Sequence, residues 1–566
     1  MGKHTYTAPV IFVVFALTLA PWLYNFPLND DWAYAIGVQR LLSQGRLSLC
    51  DWGASTQLPH LLLGALCARL LGFSFIALKT YTLAAAAGTV FVFVKLLEEL
   101  EIKPFDITLA ALALALNPLF LILANSFMTD MTYLFWMSLS VYFYTRHLKT
   151  DGPGQLTLAG LCAAAAYLTR QIGLAVPLAY TFMLAAGRRL TVPDLLRTWG
   201  FTAAAAAGYA LWFKYSNGAT WASENYVFSA TLGHLSHPMT FLSDAAFRAP
   251  ASMMQLGMLL FPPAAGYFHA ALRRQSGNSL RKLQAKSARP AVPARLPGNR
   301  GIRCSMTGHK DLVTAKRVGL ALAVLLGVFI LLNGPLPYLE NTFSRGGIGV
   351  LTLNGAGSKV SGFFSSTLFW YAMTALAALS AAVLAGTSSL TLQAGGPAAR
   401  FIFLSAAAHL FISLLGAKFF DRYLLTLLPW FILSAVFAAR NLRFSRPAAA
   451  TALALMAAVS WAGVKDYMQW NQAKWDLASR PRPDLAADEI VNGFDYEAWL
   501  NYEKNMAYLK SIKPLRLIGE WEWQAIQSHK ARISFAPLPG LRTIDKTEYE
   551  TPFSARKGIL YLVKLQ

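Results

Sequence analysis

Apolar stretches separated by short polar segments recur along the chain from Val10 almost to Val464 and then stop. A helix needs about 20 apolar residues to cross a bilayer at right angles. The pattern predicts thirteen spans, several of them shorter than this, so their boundaries are loose. They are residues 8–26, 74–95, 106–123, 131–146, 156–168, 171–187, 199–214, 250–272, 317–333, 363–385, 401–416, 422–438 and 447–465.

Two apolar segments need separate interpretation. The first run has a basic lead but is followed by Pro21-Trp-Leu-Tyr, which lacks the small residues of a signal-peptide cleavage site. We therefore predict that it is retained as the first span. Residues 58–72 are apolar but few, and they include Arg69. This combination predicts an amphipathic helix lying on the outer membrane surface.

Basic residues set the orientation of the chain. Residues 156–187 form either one long helix or two short helices separated at Arg170. A single helix would bury Arg170 near the middle of the bilayer, at a cost of about 3 kcal/mol. It would also move the loop 273–317, with its twelve Lys and Arg, to the outer side. The positive-inside rule therefore favours two helices, with the N-terminus inside and the C-terminus outside.

This orientation divides the chain into two domains. Residues 1–465 are predicted to be an all-α polytopic membrane module, with a first outer loop at 27–73 and a basic, mostly disordered cytoplasmic loop at 273–317. Residues 466–566 have ordinary charge and aromatic content, and they end in two short strand-like segments, at Arg532 and Gly558. They are predicted to form a small α/β domain on the outer face.

Composition supports a membrane protein and argues against nucleic-acid binding. Only 14% of the residues are charged and 55% are hydrophobic, whereas soluble domains average about 25% charged residues. The net charge of +22 is explained by basic cytoplasmic loops and by attraction to anionic lipid headgroups. The four cysteines form no CxxC pair, so neither a disulfide framework nor a metal knuckle is indicated.

Charged residues collect at the outer ends of the predicted spans. Charges at this depth persist when they are paired or when they line a wet cavity. Several of them on one face therefore predict a shared polar cavity. They are Asp30 and Asp31 after the first span, Asp130 before the fourth, Arg170 between the fifth and sixth, and Asp421 with Arg422 at the start of the twelfth.

Each of these charges also has a local explanation. A carboxylate at a helix start can act as a cap and favours the positive end of the dipole, and an interfacial arginine can extend towards the headgroups. Asp421 and Arg422 could form a local ion pair. The local explanations need four independent coincidences on one face, whereas a cavity explains all the positions together.

The charges suit transfer of a sugar from a lipid phosphate. Such a reaction needs a carboxylate that takes the proton of the acceptor and cations that hold the departing phosphate. Asp30 fits the role of base, and Arg170 or Arg422 fits the role of phosphate ligand. Asp31 is expected to orient the acceptor or a metal ion.

Several motifs resemble those of the GT-C membrane glycosyltransferases, and more narrowly the family 39 protein mannosyltransferase-like and aminoarabinose-transferase-like bacterial group. The resemblance covers residues 1–190 well and 400–440 moderately. The motifs are Asn29-Asp-Asp-Trp-Ala-Tyr-Ala, Leu42-x-x-Gly45-Arg46, Asn117-Pro118, Ser126-Phe-Met-Thr-Asp130, Leu168-Thr-Arg-Gln-Ile-Gly173, and Asp421-Arg-Tyr-Leu-Leu with Pro429.

The resemblance implies specific roles for the residues of these motifs. Asp30 is the expected base, Asp31 is its acidic neighbour, and the substrate-binding residues are expected to be Tyr34, Asp130, Arg170, Gln171, Asp421, Arg422 and Tyr423. The aminoarabinose-type enzymes carry Lys-Pro-Pro after the first loop, where this chain has Gln57-Leu-Pro-His60. Neither Gln57 nor His60 supplies a fixed positive charge at neutral pH, so phosphate binding is expected to depend more heavily on the arginines.

The sequence thus predicts an inverting glycosyltransferase that uses a polyprenyl-phosphate sugar on the outer face of a bacterial inner membrane. The acceptor stays open between glycan, lipid and protein, and a divalent cation is possible. The alternative is a transporter or flippase for a lipid-linked or polar solute, which would instead favour charges deep inside the spans and pseudo-symmetric halves.

Overall fold

The computed structural model describes residues 3–281, 309–359, 366–526, 528–552 and 556–565. Helices dominate the described chain, as the all-α prediction requires. In order they are α1 Thr7–Leu17, α2 Asp31–Gln44, α3 Leu58–Leu71, α4 Phe75–Glu99, α5 Pro104–Ala115, α6 Pro118–Ala124, α7 Thr129–Thr150, α8 Pro153–Thr169, α9 Ala175–Ala186, α10 Val192–Trp212, α11 Ser229–Ser236, α12 Pro238–Leu259, α13 Phe261–Arg281, α14 His309–Asn333, α15 Ala356–Lys359, α16 Thr367–Ala394, α17 Gly396–Leu415, α18 Leu428–Ala438, α19 Arg446–Ser479, α20 Phe494–Ile512 and α21 Glu522–Ala525.

Within the described residues, six helical segments are long and apolar enough to cross a membrane, or seven if the bent pair α5–α6 is one span. The chain is therefore an integral membrane protein. Each of the thirteen predicted spans overlaps a helix, although several of these helices are short, and the number of crossings stays a prediction. The six segments are Phe75–Glu99, Lys310–Asn333, Thr367–Ala394, Gly396–Leu415, Asp421–Ala438 and Arg446–Ser479.

Asn117-Pro118 produces the 62° bend between α5 and α6. Proline has no N–H to continue the hydrogen bonding of α5, and it is well suited to the first turn of the next helix. The Asn117 side chain caps α6 by accepting from Leu119 N at 3.1 Å, and its amide donates to Leu259 O at 2.8 Å. The bend sets the direction in which the chain reaches Ser126 and Asp130.

Two further predictions concern the ends of helices. The predicted break at Arg170 is present, since α8 ends at Thr169 and Arg170 is extended, with φ −150° and ψ 135°. The amphipathic segment 58–72 forms α3, where Leu62, Leu66 and Leu70 make an exposed stripe opposite a buried face. A stripe of leucines at this spacing suits contact with lipid.

The C-terminal part contains a small sheet region. We call the chain after α19 the outer domain, after the side of the membrane on which the sequence predicts it, and that side stays a prediction. A hairpin earlier in the chain pairs β1 Phe343–Ser344 with β2 Gly347–Ile348, and the strands of the C-terminal sheet are β3 Ile490–Val491, β4 Ala531–Ser534, β5 Thr543–Tyr549 and β6 Gly558–Lys564. The sheet has the order β3-β4-β6-β5, in which β3 and β4 are parallel and the other pairs are antiparallel. The strand-like segments at Arg532 and Gly558 are β4 and β6.

The last membrane helix does not end at the predicted boundary of 465. Helix α19 continues to Ser479 because its polar residues are buried against the outer domain instead of being exposed to water. Lys474 Nζ lies 2.6 Å from Asp495 Oδ1, and Asp466 Oδ2 lies 2.6 Å from Lys359 Nζ. Both ion pairs are almost completely buried. The first holds α20 of the outer domain to α19, and the second holds α15, in the loop before α16, to the same helix.

The outer domain also packs on the loops at the same end of the helices. Lys510 Nζ lies 2.6 Å from Asp51 in the first outer loop, and Trp221 Nε1 donates to Ile518 O at 2.8 Å. Asn354 O accepts from Phe535 N at 3.1 Å. The predicted outer loops and the C-terminal domain therefore form one structure. At the other end, the predicted disordered loop 273–317 lies largely outside the described residues.

Candidate active site

Asp30 lies in the turn before α2, and its carboxylate faces an arginine and a tryptophan. Oδ1 accepts from Trp52 Nε1 at 3.0 Å, and Oδ2 lies 3.3 Å from both Nη1 and Nη2 of Arg422. The side chain is 16% exposed. It accepts no capping hydrogen bond from α2 as the structure describes that helix, so capping does not explain this position.

Arg422 comes from the far end of the chain, in the 3-10 helix Asp421–Leu427 that precedes α18. Its guanidinium lies over the rings of Phe420 and Tyr423, at 5.1 and 5.9 Å from the centroids. Planar guanidinium groups stack on aromatic faces in this way. The two rings and the Asp30 carboxylate therefore fix the position of a positive charge that is only 11% exposed.

A second carboxylate–arginine pair lies close to the first. Arg170 Nη1 donates to Asp130 Oδ1 at 2.7 Å, and its guanidinium lies 5.2 Å from the centroid of the Tyr423 ring. Tyr423 is thus in contact with both arginines. Asp130, at the start of α7, is largely buried. Gln171 donates to Ala54 O at 3.0 Å and so fastens the Arg170 turn to the first outer loop.

Tyr34 on α2 connects the two pairs. Burial raises the pKa of its hydroxyl to about 12, and Asp30, Arg422, Arg170 and Asp130 all act on it electrostatically. The structure therefore gathers four of the six predicted charges, which we call the four-charge cluster, around the tyrosines Tyr34 and Tyr423. Their roles in a reaction stay predictions.

A cavity of about 540 Å³ opens beside this cluster. Asp130, Arg170, Gln171 and Tyr423 contribute to its polar side, and it also has an apolar wall. Lys418 lines it too, and its ammonium lies 2.6 Å from Glu520 of the outer domain. Sequence reasoning missed Lys418; its position three residues before Asp421 is a weak signal. The apolar wall includes Ile172, Ile412, Ala417 and the nonpolar part of Thr426.

Asp31 is separated from this cavity by burial. Its Oδ2 accepts from Leu28 N at 3.1 Å, and the nearby Lys79 donates to Tyr24 O and Phe26 O at 3.2 and 2.7 Å. Burial raises the pKa of Asp31 to about 7, while the charge of Lys79 lowers it. These contacts indicate that Asp31 positions the first outer loop. They give less support to the predicted role, in which Asp31 contacts an acceptor or a metal ion.

Asp421 is also fully buried and holds the outer loop before α15. Its carboxylate accepts from Thr342 N at 2.8 Å and from Phe343 N at 2.8 Å. Asp421 and Arg422 therefore point to different partners, and a local ion pair between them does not describe this site. The contacts of Asp421 indicate that it positions this outer loop. They give less support to the predicted role in substrate binding.

His60 contributes no charge to the site. Its ring is fully buried between Thr132 Oγ1, at 2.8 Å, and Phe127 O, at 3.1 Å. Burial lowers the pKa of His60 to about 3, so the ring is neutral. Gln57 is buried beside it. Among the described residues, no group of three or more His, Cys, Asp or Glu is placed to hold a metal ion, and the possible divalent cation stays a prediction.

Aromatic side chains form the outer wall of the site, and sequence reasoning missed them. Trp52, which donates to Asp30, stacks on Trp221 with centroids 5.5 Å apart and planes at 8°. It also contacts Phe494 and Trp521 of the outer domain, at 5.2 and 5.5 Å. Trp52 therefore joins Asp30 to aromatic residues of the outer domain.

No family model and no curated protein sequence matches the chain. Several solved structures are similar to the chain. One is ArnT from Cupriavidus metallidurans bound to undecaprenyl phosphate, with 13% identity and a TM-score of 0.37 over 98% of this chain and 97% of that one. Archaeal oligosaccharyltransferase AglB from Archaeoglobus fulgidus, with an inhibitory peptide and a dolichol-phosphate, has 14% identity and a TM-score of 0.41 over 91% and 60%.

The Pmt1-Pmt2 protein O-mannosyltransferase of S. cerevisiae, bound to its sugar donor, is similar over 41% of this chain and 36% of that one, at 13% identity and a TM-score of 0.31. The Pmt1-Pmt2 and AglB proteins are by name sugar-transferring enzymes, and ArnT and AglB were each solved with a lipid phosphate. At these identities and TM-scores, a functional proposal has to rest on the residues of the site.

Proposed function

We propose that the protein is an inverting glycosyltransferase that moves a monosaccharide from a polyprenyl phosphate to an acceptor on the outer face of the membrane. The observation that carries this proposal is the contact of Asp30 with Arg422 and Trp52, beside Arg170 and next to a cavity. This contact supports a reaction in which a base and two phosphate ligands act within one partly buried site.

Asp30 serves as the general base. The acceptor hydroxyl oxygen attacks the anomeric carbon, and the bond from that carbon to the phosphate oxygen breaks. The proton goes to the Asp30 carboxylate, and the electron pair of the broken bond leaves with the phosphate. A single displacement of this kind inverts the configuration at the anomeric carbon. General-base catalysis contributes about 10²–10⁴-fold to such steps.

Arg170 and Arg422 serve as the phosphate ligands. A guanidinium offers fixed, paired N–H donors to phosphate oxygens and keeps its charge at any physiological pH. The departing phosphate gains negative charge in the transition state, so preorganised cations in a partly buried site lower the barrier. Because His60 is neutral and Gln57 is buried, phosphate binding depends on the two arginines.

The donor is a lipid because the cavity beside Arg170 combines charge with an apolar wall. Ile172 and Ile412 line it together with Arg170 and Lys418. A polyprenyl phosphate has the same two features, an apolar chain and an anionic headgroup. The acceptor approaches from the opposite side, past Trp52 and the outer domain.

The test compares membranes that carry the wild-type chain, the Asp30→Asn variant or no chain, with mass spectrometry of envelope glycans and glycolipids. Asparagine keeps the shape of Asp30 and can accept the Trp52 hydrogen bond, but it is not a base. We expect the product of the wild-type chain to be lost in Asp30→Asn. Asp51→Asn is the matched control, because Asp51 lies in the same loop and pairs with Lys510 instead.

A sugar product that persists in Asp30→Asn at the wild-type level contradicts the base assignment. Movement of a lipid-linked sugar across vesicles without any transfer would instead support the transporter alternative. Thermal unfolding of both variants in detergent separates a loss of chemistry from a loss of folding.

A further inference from the structure

The outer domain contains a second cavity, of about 520 Å³. It lies where the outer loop around Asn354 meets β4 and the N-terminal turns of α20 and α21. None of the predicted site residues lines it. A cavity of this size can hold a small ligand or the end of a longer one.

One side of this cavity carries a cluster of charged and polar groups. Glu497 Oε2 lies 3.6 Å from His529 Nε2, and Arg532 and Gln524 line the same space. His529 Nε2 and Arg532 Nε are buried and have no hydrogen-bond partner among the residues that the structure describes. Buried polar atoms usually have partners, so these two nitrogens have bonding capacity left for a ligand.

The other side is aromatic. Phe494 and Trp521 line the cavity, and their rings meet edge to face with centroids 5.5 Å apart. Trp521 is 50% exposed, which is a large apolar surface to leave in contact with water. An aromatic face next to several hydrogen-bonding groups is suited to a ligand that has both an apolar face and many hydroxyls.

The cavity is linked to the candidate active site. Phe494 and Trp521 both contact Trp52, whose Nε1 donates to the Asp30 carboxylate. A ligand held against Phe494 or Trp521 is therefore linked to the proposed base through two aromatic rings, its own contact and Trp52. The cavity and the candidate active site thus share one aromatic cluster.

We propose that this cavity binds a carbohydrate chain and serves as the acceptor subsite of the enzyme. This inference rests on the proposed function and narrows its acceptor to a glycan or a glycan-bearing molecule. Pyranose rings present C–H groups that pack on an aromatic face, and their hydroxyls both donate and accept hydrogen bonds. Glu497, Gln524, His529 and Arg532 supply the complementary acceptors and donors.

The charges favour a neutral ligand over a phosphate. Arg532 alone would attract an anion, but Glu497 lies close enough for its charge to act on Arg532. Burial raises the pKa of Glu497 to about 7, so the carboxyl can donate as well as accept near neutral pH. A polyol uses both forms of this group, whereas a phosphate is repelled by the ionised one.

The experiment uses the full chain in lipid nanodiscs and saturation-transfer NMR with soluble tetrasaccharides: cellotetraose, chitotetraose, maltotetraose and mannotetraose. Tetraserine and inorganic phosphate are the comparison ligands. We expect at least one tetrasaccharide to bind, and Trp521→Ala and Arg532→Ala to weaken its binding about tenfold or more.

The matched controls are Tyr508→Ala and Arg516→Ala, because both residues are exposed on the same domain outside the cavity. Gln524→Leu is a milder second variant.

Three results overturn the proposal: no tetrasaccharide binds, tetraserine or phosphate binds in their place, or the cavity variants bind as the controls do. Binding and transfer are measured separately. Transfer by the wild-type chain without tetrasaccharide binding overturns the subsite alone. Tetrasaccharide binding without any transfer overturns the proposed function and leaves a carbohydrate site. Binding that survives in Asp30→Asn, with transfer lost, supports both.

Discussion

Arg422 reaches Asp30 across 392 positions of the sequence, and both of its terminal nitrogens lie 3.3 Å from the same carboxylate oxygen. The proposed phosphate ligand is thus paired with the proposed base. This contact keeps the arginine in place before substrate arrives, and it makes the two functions depend on each other.

Arg422→Ala is expected to reduce kcat about 10²–10³-fold, because one preorganised cation is lost from the transition state. Arg422→Lys keeps the charge but not the paired donors, so it is expected to recover only part of the rate. Initial rates with a lipid-linked sugar donor check this. Equal rates for alanine and lysine variants would show that the charge of Arg422 does not act on the phosphate.

The same contact predicts an order of binding. Asp30 cannot take a proton from the acceptor efficiently while Arg422 engages its Oδ2, and a donor phosphate competes for Arg422. We therefore expect the donor to bind first. Product inhibition by free polyprenyl phosphate should be competitive with the donor and non-competitive with the acceptor. A pattern consistent with random addition contradicts this dependence.

Trp52→Phe is expected to lower kcat while the folded state persists. The substitution removes the Nε1 donor to Asp30 and keeps a ring against Trp221 and Phe494. Without this donor the base is less well oriented, and a misplacement of about 1 Å at a reacting group can cost about 10²-fold, so the rate should fall by up to roughly 100-fold. Trp499→Phe is the control, because Trp499 packs on Phe75 at a distance from Asp30. An unchanged rate would mean that Trp52 does not orient the base.

Asp421→Asn tests the positioning of the outer loop. Both carboxylate oxygens accept from Thr342 N, and Oδ2 also accepts from Phe343 N. An amide replaces one of these oxygens with an N–H donor, which cannot accept from Thr342 N. We expect faster proteolytic cleavage within residues 334–359 and a smaller loss of activity than in Asp30→Asn. Limited proteolysis of the two variants side by side measures the difference. If Asp421→Asn instead raises the KM of the donor with no change in cleavage, the substrate-binding role predicted from the sequence is correct.

The helix break at Arg170 and the grouping of charged residues could be predicted from the sequence because both follow from solvation, whereas the number of crossings and the side of each loop stay predictions. An arginine such as Arg170 cannot lie in mid-bilayer without a large cost, so its position fixed the helix break. The same reasoning placed Asp30 and Arg422 at one end of the helices. Their roles came from a motif resemblance, and they remain to be tested.

The pairing within the site could not be predicted, because nothing local specifies which carboxylate meets which arginine. Asp130 pairs with Arg170, and Asp30 pairs with Arg422. The sequence would be equally consistent with the opposite pairing, Asp130 with Arg422 and Asp30 with Arg170. Trp52 was missed for a different reason: aromatic residues near a membrane surface are common at the lipid interface. The boundary at 465 was misplaced because apolar periodicity ends where α19 begins to pack on the outer domain.

Glu497 predicts how the stability of the protein depends on pH. Burial is the main reason that its pKa rises from 4.5 to about 7. Between these values the folded state binds more protons than the unfolded state, so the free energy of unfolding falls as pH rises through this window and levels off above it.

Glu497→Gln removes the ionisable group and should flatten this dependence. We expect the variant to be more stable than the wild type at pH 8 by about 1–3 kcal/mol, and similar to it at pH 4.5. Thermal unfolding of the full chain in nanodiscs from pH 4.5 to 8 measures both curves. A stability difference between Glu497→Gln and the wild type that does not grow across this window would contradict the raised pKa of Glu497. Asp484→Asn is the control, because Asp484 is exposed and does not line the cavity.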